Sequence, residues 1–265
     1  MELSLAHRKG VYPGIWGRIG YGWGMCGRFA QVFEDKDVSR IEEILRAALG
    51  DATDADDLLL QSFNIAPTQT ALIARNTDGE STLTRARYGL VPSWAKDVSV
   101  SAKMINARSE TVHEKPAFRG LVGSRRCVVP VSGFYEWEAV AGEKHKQPWY
   151  VTRGDGEPMM LAGLWDRWVD GDERIDSFTM LTMDATGFMA GIHHRMPVVL
   201  ERDGVVGWTG LSAGVEDVVC GGVDGGDVLT GHRVGRRVNS PANDDAGLIV
   251  EVDEGEIAGE GTLWG

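Results

Sequence analysis

Lysine, cysteine and long apolar runs are all scarce in this 265-residue chain. Only 7 of its 27 basic residues are lysine. The three cysteines, Cys26, Cys127 and Cys220, lie far apart and form no CxxC pair. Neither a disulfide framework nor a zinc site is expected from that spacing, and a reducing cytoplasm is the natural compartment. No stretch is long enough to span a membrane as a helix. The first 24 residues hold no continuous apolar stretch of signal-peptide length and no small-residue cleavage pattern, so a secretory signal is not expected there. A formal net charge of −12 argues against nucleic-acid binding by bulk attraction. What remains is a chain of 43% hydrophobic content, large enough for a substantial core.

Arginine, at 20 residues against 7 lysines, is the cation that makes fixed, bidentate phosphate contacts. The Asp-rich, Lys-poor balance is that of a salt-adapted protein or of an ordinary acidic cytoplasmic surface. Its acid collects outside the motif-bearing segments, as in Asp51-Ala52-Thr53-Asp54-Ala55-Asp56-Asp57 and the C-terminal third.

The most informative pair is Met25-Cys26, which opens Met25-Cys26-Gly27-Arg28-Phe29. If translation starts at Met25 and that methionine is removed, Cys26 carries an α-amine and a thiol on neighbouring carbons. The amine condenses with an aldehyde to a Schiff base, and the thiol closes a thiazolidine ring. Residues 1–24 stand in the way. They carry Gly10, Gly14, Gly17, Gly20, Gly22 and Gly24 among scattered aromatics, without helical or strand periodicity. Three readings stay open: translated sequence upstream of the true start, a propeptide cleaved before Cys26, and a disordered tail. Under the first two, the mature chain begins at Cys26.

Val38, Ile41, Leu45 and Ala48 recur at helical spacing, with Ile44 and Leu49 beside them. Asp37 is the expected N-cap and Gly50 the stop. Beyond an acidic loop at Asp51–Asp57, short β-branched runs punctuated by Gly and Pro predict strands. They are Ala71–Ala74, Thr82–Tyr88, Cys127–Val131, Trp149–Thr152, Met159–Trp165 and Phe178–Met183. Short helices are expected at Ser109–Glu114, from Pro116 onward, and at Gly187–Ile192. From Gly214 the chain reads as an exposed loop before a last strand near Val228–Val238, and residues 244–265 read as an acidic, disordered tail. The fold class expected is α+β: one β-rich domain over 25–243 with antiparallel and mixed sheets in a barrel-like core and a few short helices.

Four polar clusters sit among aromatic, Gly and Pro residues: Cys26-Gly27-Arg28, Asn106-Ala107-Arg108, Gly133-Phe134-Tyr135-Glu136-Trp137 and His193-His194-Arg195-Met196-Pro197. Each has a bland reading. Glu136 on an apolar strand is an outward-facing residue, His193 a hydrogen-bonded loop histidine, and Asn106 a helix cap. Arg28, Arg108 and Arg195 are ion-pair partners, and Cys127 is a buried core thiol.

In order along the chain, these clusters and the loops Asn64-Ile65-Ala66-Pro67-Thr68 and Gly89-Leu90-Val91-Pro92-Ser93-Trp94-Ala95 resemble the SOS-response-associated peptidase family, the abasic-site processing proteins. The resemblance spans Met25 to about Asn243. The leader and the Gly/Asp-rich stretch 214–227 depart from the family pattern. What the resemblance implies is a groove for single-stranded DNA and covalent capture of abasic sites by Cys26. Glu136 would be the general acid/base, His193 would help open the sugar ring, and Asn106 would hold the deoxyribose. Arg28, Arg108 and Arg195 would contact phosphates, and Trp94 and Trp137 would stack on bases. The expected partner is single-stranded DNA containing abasic sites. The protein is expected to act as a monomer in the cytoplasm, associated with the nucleoid when DNA-bound, with no cofactor and no metal. A Schiff base also permits β-elimination, hence lyase activity. Two further functions stand beside this one. A cysteine-nucleophile peptidase would use Cys26, Glu136 and His193, at most to remove its own leader. A non-catalytic single-strand binding module would need none of them for chemistry.

Overall fold

The computed structural model describes residues 27–49, 61–77, 80–222 and 228–253. Cys26, the leader 1–24, Gly50 and the acidic loop at 51–57 lie outside the described residues, as does 254–265.

Thirteen strands are found among the described residues. They are β1 (Arg28–Gln31), β2 (Ser62–Ile65), β3 (Thr70–Thr77), β4 (Glu80–Tyr88), β5 (Asn106–Arg108), β6 (Arg126–Val131) and β7 (Gly133–Glu138). Then follow β8 (Gln147–Arg153), β9 (Met159–Asp170), β10 (Glu173–Asp184), β11 (Arg195–Pro197), β12 (Val199–Leu200) and β13 (Leu229–Arg233). The four α-helices are α1 (Asp35–Leu49), α2 (Gly187–Ala190), α3 (Arg202–Thr209) and α4 (Val215–Cys220). Every predicted strand run is present, mostly extended at its ends.

Two sheets form. The smaller runs β13-β8-β7-β1-β2, and each of its pairings is antiparallel. In the larger, the order β10-β4-β3-β6-β9 is closed by a β9–β10 ladder, giving a five-stranded ring that is mixed because β10 and β4 run parallel. Closure removes the unpaired edges that an open sheet would leave.

Strand alternation sorts the apolar residues into separate cores. One face of the larger sheet, carrying Ile73, Val129, Leu161, Phe178 and Met180, packs with Phe29, Ile65, Phe134 and Val151 of the smaller one. Its other face takes α1, α3 and α4 through Ile41, Leu45, Val205, Trp208, Val215 and Val218. Cys127 is fully buried, as expected of a core thiol, and burial pushes its pKa up. Gln31 spans the sheets: its amide donates to the carbonyls of Leu72 and Pro130, both at 2.8 Å, and accepts the Leu72 N–H at 2.9 Å.

Several expectations need correction. Helix α1 starts at Asp35, so Asp37 stands inside its first turn, where its carboxylate accepts the Glu34 N–H at 3.0 Å. Ser109–Thr111 is a single 3-10 turn, and the chain from Pro116 makes separate turns closed on Lys115, Phe118 and Leu121 instead of a helix. Gly120 and Gly123 within it carry the entropic cost that discourages continuous helix. The expected exposed loop after Gly214 contains α4, because Val215 and Val218 fall on one helical face and bury together.

The tail is not wholly free. Residues 244–253 strap the outer face of the smaller sheet, with Leu248 buried against Tyr135, Trp137 and Tyr150 and with Asp244 accepting the Phe63 N–H. Its last described residues join Val234, by a bridge to Glu251, and Arg233, whose carbonyl accepts the Val252 N–H.

Replacing Gln31 by Leu keeps the volume and strands two carbonyls and one N–H in a dry interior. Urea unfolding is expected to show a loss of about 1–3 kcal/mol, and an unchanged midpoint would show that the bridge is dispensable.

Candidate functional site

On β7, period two places Phe134, Glu136 and Glu138 on one face and Tyr135 and Trp137 on the other. Phe134 belongs to the core between the sheets, whereas Tyr135 and Trp137 belong to the outer core under the strap. Glu136 therefore points inward, at 3% exposure, and the outward-facing reading fails. Its Oε1 accepts the Trp137 N–H at 3.3 Å. Arg28 pairs with Tyr135 in the β1–β7 ladder, so one step back along β1 brings Gly27 opposite Glu136. On the other side Glu136 pairs with Trp149, and Trp149 pairs with Arg233. Gly27, Glu136, Trp149 and Arg233 thus form one row across four strands.

The facing wall is built on β10. Its N-terminal half pairs with β9 and β4, and its C-terminal half exchanges these for β11 and β5. Asn106 pairs with Met180, Arg108 with Thr182 and Arg195 with Asp184. These β10 residues share a parity with Met180, which lies in the core between the sheets. Asn106, Arg108 and Arg195 accordingly lie on the face that looks toward the smaller sheet.

Arg195 locks this wall. Its guanidinium, 4% exposed, donates to Glu110 just beyond β5, to Asp184 on β10, and to the Thr182 carbonyl at 2.7 Å. The Arg195 hydrogen bonds hold the Glu110 carboxyl below its usual range. A phosphate would have to compete with both carboxylates for this arginine.

His193 follows α2, its N–H donating to the Met189 carbonyl at 2.9 Å. Its Nδ1 lies 3.2 Å from the Arg195 backbone nitrogen and 3.4 Å from the Arg195 carbonyl oxygen, so it accepts from the one or donates to the other according to the tautomer. Burial lowers its pKa, and the charges of Lys146 and Arg195 push the same way against a backbone hydrogen bond that raises it. The smaller sheet reaches this segment through Trp149, whose ring meets Phe188 of α2 edge-on at 5.8 Å. Gly231 permits that approach, since a Cβ there would stand 3.3 Å from the Phe188 ring and 2.7 Å from the Tyr150 carbonyl oxygen.

The structure brings Asn106, Arg108, Glu136, His193 and Arg195 to one end of the space between the sheets. Other expected residues are placed elsewhere. Arg28, 6% exposed, lies on the outer face of β1 and donates to Asn64 Oδ1 at 2.9 Å and the Val238 carbonyl at 2.7 Å. Trp137, 5% exposed, donates through Nε1 to Asn239 at 2.8 Å beneath the strap, so it offers no open stacking face. Trp94, by contrast, is 63% exposed on its loop. Trp149, Arg233 and Lys146 were not singled out from sequence. Only the alternation of β8 and β13, once their register to β7 is known, reveals them. Among the described residues no group of three His, Cys, Asp or Glu side chains is arranged to hold a metal, and no helix is long and apolar enough to cross a membrane.

Comparison with known proteins agrees with this architecture. A family model described as SOS response associated peptidase (SRAP) matches residues 25–241. Abasic site processing protein YoaM of Bacillus subtilis is 34% identical over 233 residues, covering 85% of this chain and 97% of that protein. Abasic site processing protein YMR114C of Saccharomyces cerevisiae is 31% identical over 199 residues, covering 67% of this chain and 52% of that one. A solved structure from Bacteroides thetaiotaomicron has the same fold, with a TM-score of 0.66 at 22% identity over 86% of this chain and all of that one. The family model over residues 25–241 and the 34% identical relative show that the chain belongs to the SOS response associated peptidase (SRAP) family.

Proposed function

We propose that this protein acts on abasic sites in single-stranded DNA and captures them covalently through Cys26 as the first residue of the mature chain. The names of its relatives motivate the lesion. The observation that carries the chemistry is Glu136, a carboxyl group enclosed between the sheets and paired across the ladder with the position of Gly27. Cys26 is joined to Gly27 by one peptide bond, which sets their Cα atoms about 3.8 Å apart.

The reaction balances with loss of one water. In ring opening the C1′–O4′ bond of the deoxyribose breaks, O4′ gains a proton and the anomeric hydroxyl loses one, giving the C1′ aldehyde. His193 serves here as the proton relay. The Cys26 amine, titrating near 8 when unperturbed, then attacks C1′. Glu136 relays the two protons that nitrogen loses to the former aldehyde oxygen, the first giving the carbinolamine hydroxyl and the second letting it leave as water. The thiol finally adds across C=N: sulfur bonds C1′ and its proton passes to nitrogen, closing the thiazolidine. Asn106, fixed on β5 beside β10, holds the sugar in register with the amine. Such positioning is worth about 7–11 kcal/mol in the best intramolecular cases. The intermediate imine also admits β-elimination, a minor lyase outlet of the same site.

Protein beginning at Cys26, mixed with an abasic single-stranded oligonucleotide, is expected to give a band that survives a denaturing gel. Cys26→Ala or one extra residue before Cys26 removes it. Glu136→Gln is expected to slow its formation by about 10²–10⁴-fold while binding to undamaged strand is retained. Hydrolysis of an unrelated peptide with no such band would establish the peptidase reading instead.

His193 supplies a second check. Its imidazole signal in an NMR titration is expected to have a midpoint below 6.5, moving upward in Lys146→Ala. Because the folded state binds that proton less readily than the unfolded chain, the stability tied to His193 is held above about pH 6.5. It is lost as pH falls through the folded midpoint. A midpoint above 6.5 would contradict the enclosure described.

A further inference from the structure

The two side chains that the proposed reaction needs come from different walls. Glu136 stands on β7 of the smaller sheet, and His193 lies between α2 and β11 of the larger one. Their targets are neighbouring atoms: His193 hands a proton to O4′, while Glu136 serves the nitrogen arriving at C1′, to which O4′ is bonded. Both must therefore reach one sugar at once, and an error of about 1 Å in such placement can cost about 10²-fold in rate. Ladder hydrogen bonds run within a sheet, so the gap between two sheets is set by the side chains that fill it.

At this end of the gap the filling is aromatic. Trp149 is the ladder partner of Glu136, and its ring meets Phe188 of α2 with centroids 5.8 Å apart and planes at 73°. Each ring is tied to its own wall. The Trp149 Nε1–H donates to Glu138 at 2.8 Å, which binds the indole to the strand that carries Glu136. Phe188 belongs to a closed loop. The Ala185 N–H donates to the His194 carbonyl at 3.0 Å, and the Ile192 and His193 N–H groups both donate to the Met189 carbonyl, at 3.0 and 2.9 Å. Met189 is fully buried and anchors that loop. A shift of the Phe188 ring is thus passed to His193. On the smaller sheet Gly231 makes room for the contact, since a Cβ there would stand 3.3 Å from the Phe188 ring.

We propose that the Trp149–Phe188 contact is the spacer that sets the separation between Glu136 and His193, which makes both aromatics positioning residues for capture of the abasic sugar. Neither touches the reacting atoms. Phe188→Leu keeps apolar bulk but removes the flat edge that stands against the indole, so the loop settles differently and His193 leaves its register with O4′. The inference rests on the function proposed above.

The test uses the full chain beginning at Cys26 and the variants Phe188→Leu, Trp149→Leu and their combination. The crosslinking rate at saturating abasic oligonucleotide is expected to fall about 10–100-fold in each single variant. The double variant is expected to fall no further, because the two rings act as one unit. Phe188→Tyr, which keeps a ring edge on the indole, should hold the rate within about threefold of the unaltered protein. Affinity for undamaged single-stranded oligonucleotide, read by fluorescence anisotropy, should not change in any of them. The His193 imidazole is followed by NMR titration in the same proteins. Burial lowers its pKa, and these variants leave in place the Lys146 and Arg195 charges that act on it and the His194 ring 4.2 Å away. Loss of the spacer should therefore move its midpoint upward. An unchanged rate in Phe188→Leu overturns the spacer, as do losses that multiply in the double variant or a parallel loss of undamaged-strand binding. If the unaltered protein captures no abasic site, the underlying function falls, and the His193 midpoint still decides the spacer. A midpoint that stays put in Phe188→Leu overturns it in either case.

Discussion

The guanidinium of Arg195 is the contact on which this site depends. β10 changes partners midway, and its C-terminal half holds two three-residue strands, β5 and β11, which have few ladder hydrogen bonds of their own. Arg195 stitches them together, bonding Glu110 after β5, Asp184 and Thr182 on β10, and, through its own backbone N–H, the ring of His193. An arginine this buried is stable only when its donors are met by charge and carbonyl, so the same residue sets the strands and, through its backbone, anchors the His193 ring. Asn106 and His193 thus reach one wall from segments 87 residues apart in sequence because one cation needs partners from both.

The opposite wall follows from alternation. β7 carries Glu136 inward and Trp137 outward, and the two faces serve different ends. Inward, Glu136 lies enclosed between the sheets. Outward, Trp137 and Arg28 are bound by Asn239, Asn64 and the Val238 carbonyl, so the turn before the strap, together with β2, braces β1 and β7. Asn64, 1% exposed, completes that brace by donating to the carbonyls of Ser240 and Asn243. Arg28 and Trp137, expected from sequence to touch DNA, are instead held within this frame.

Charge is distributed on the same plan. Carboxylates on the two walls are engaged, Glu138 by Trp149 and Glu110 by Arg195. Burial, joined by the charges of Lys146 and Arg195, lowers the pKa of His193.

Sequence by itself determined the strands, the amphipathic face of α1 and the family motifs, because each is written in residues within a few positions of one another. The run Cys127–Val131 and the apolar spacing of Val38, Ile41 and Leu45 are local patterns that any context must bury. Turn-rich Ser109–Ser124 and short α4 were misread, since stretches that short take their conformation from what they pack against. Tertiary structure alone decided which side of β7 looks inward, that Arg195 is tied to Glu110 and Asp184, and that Trp149 and Arg233 stand in the row of Glu136. Those facts depend on register between strands distant in the chain, and register is settled by burying both sheets' apolar faces at once.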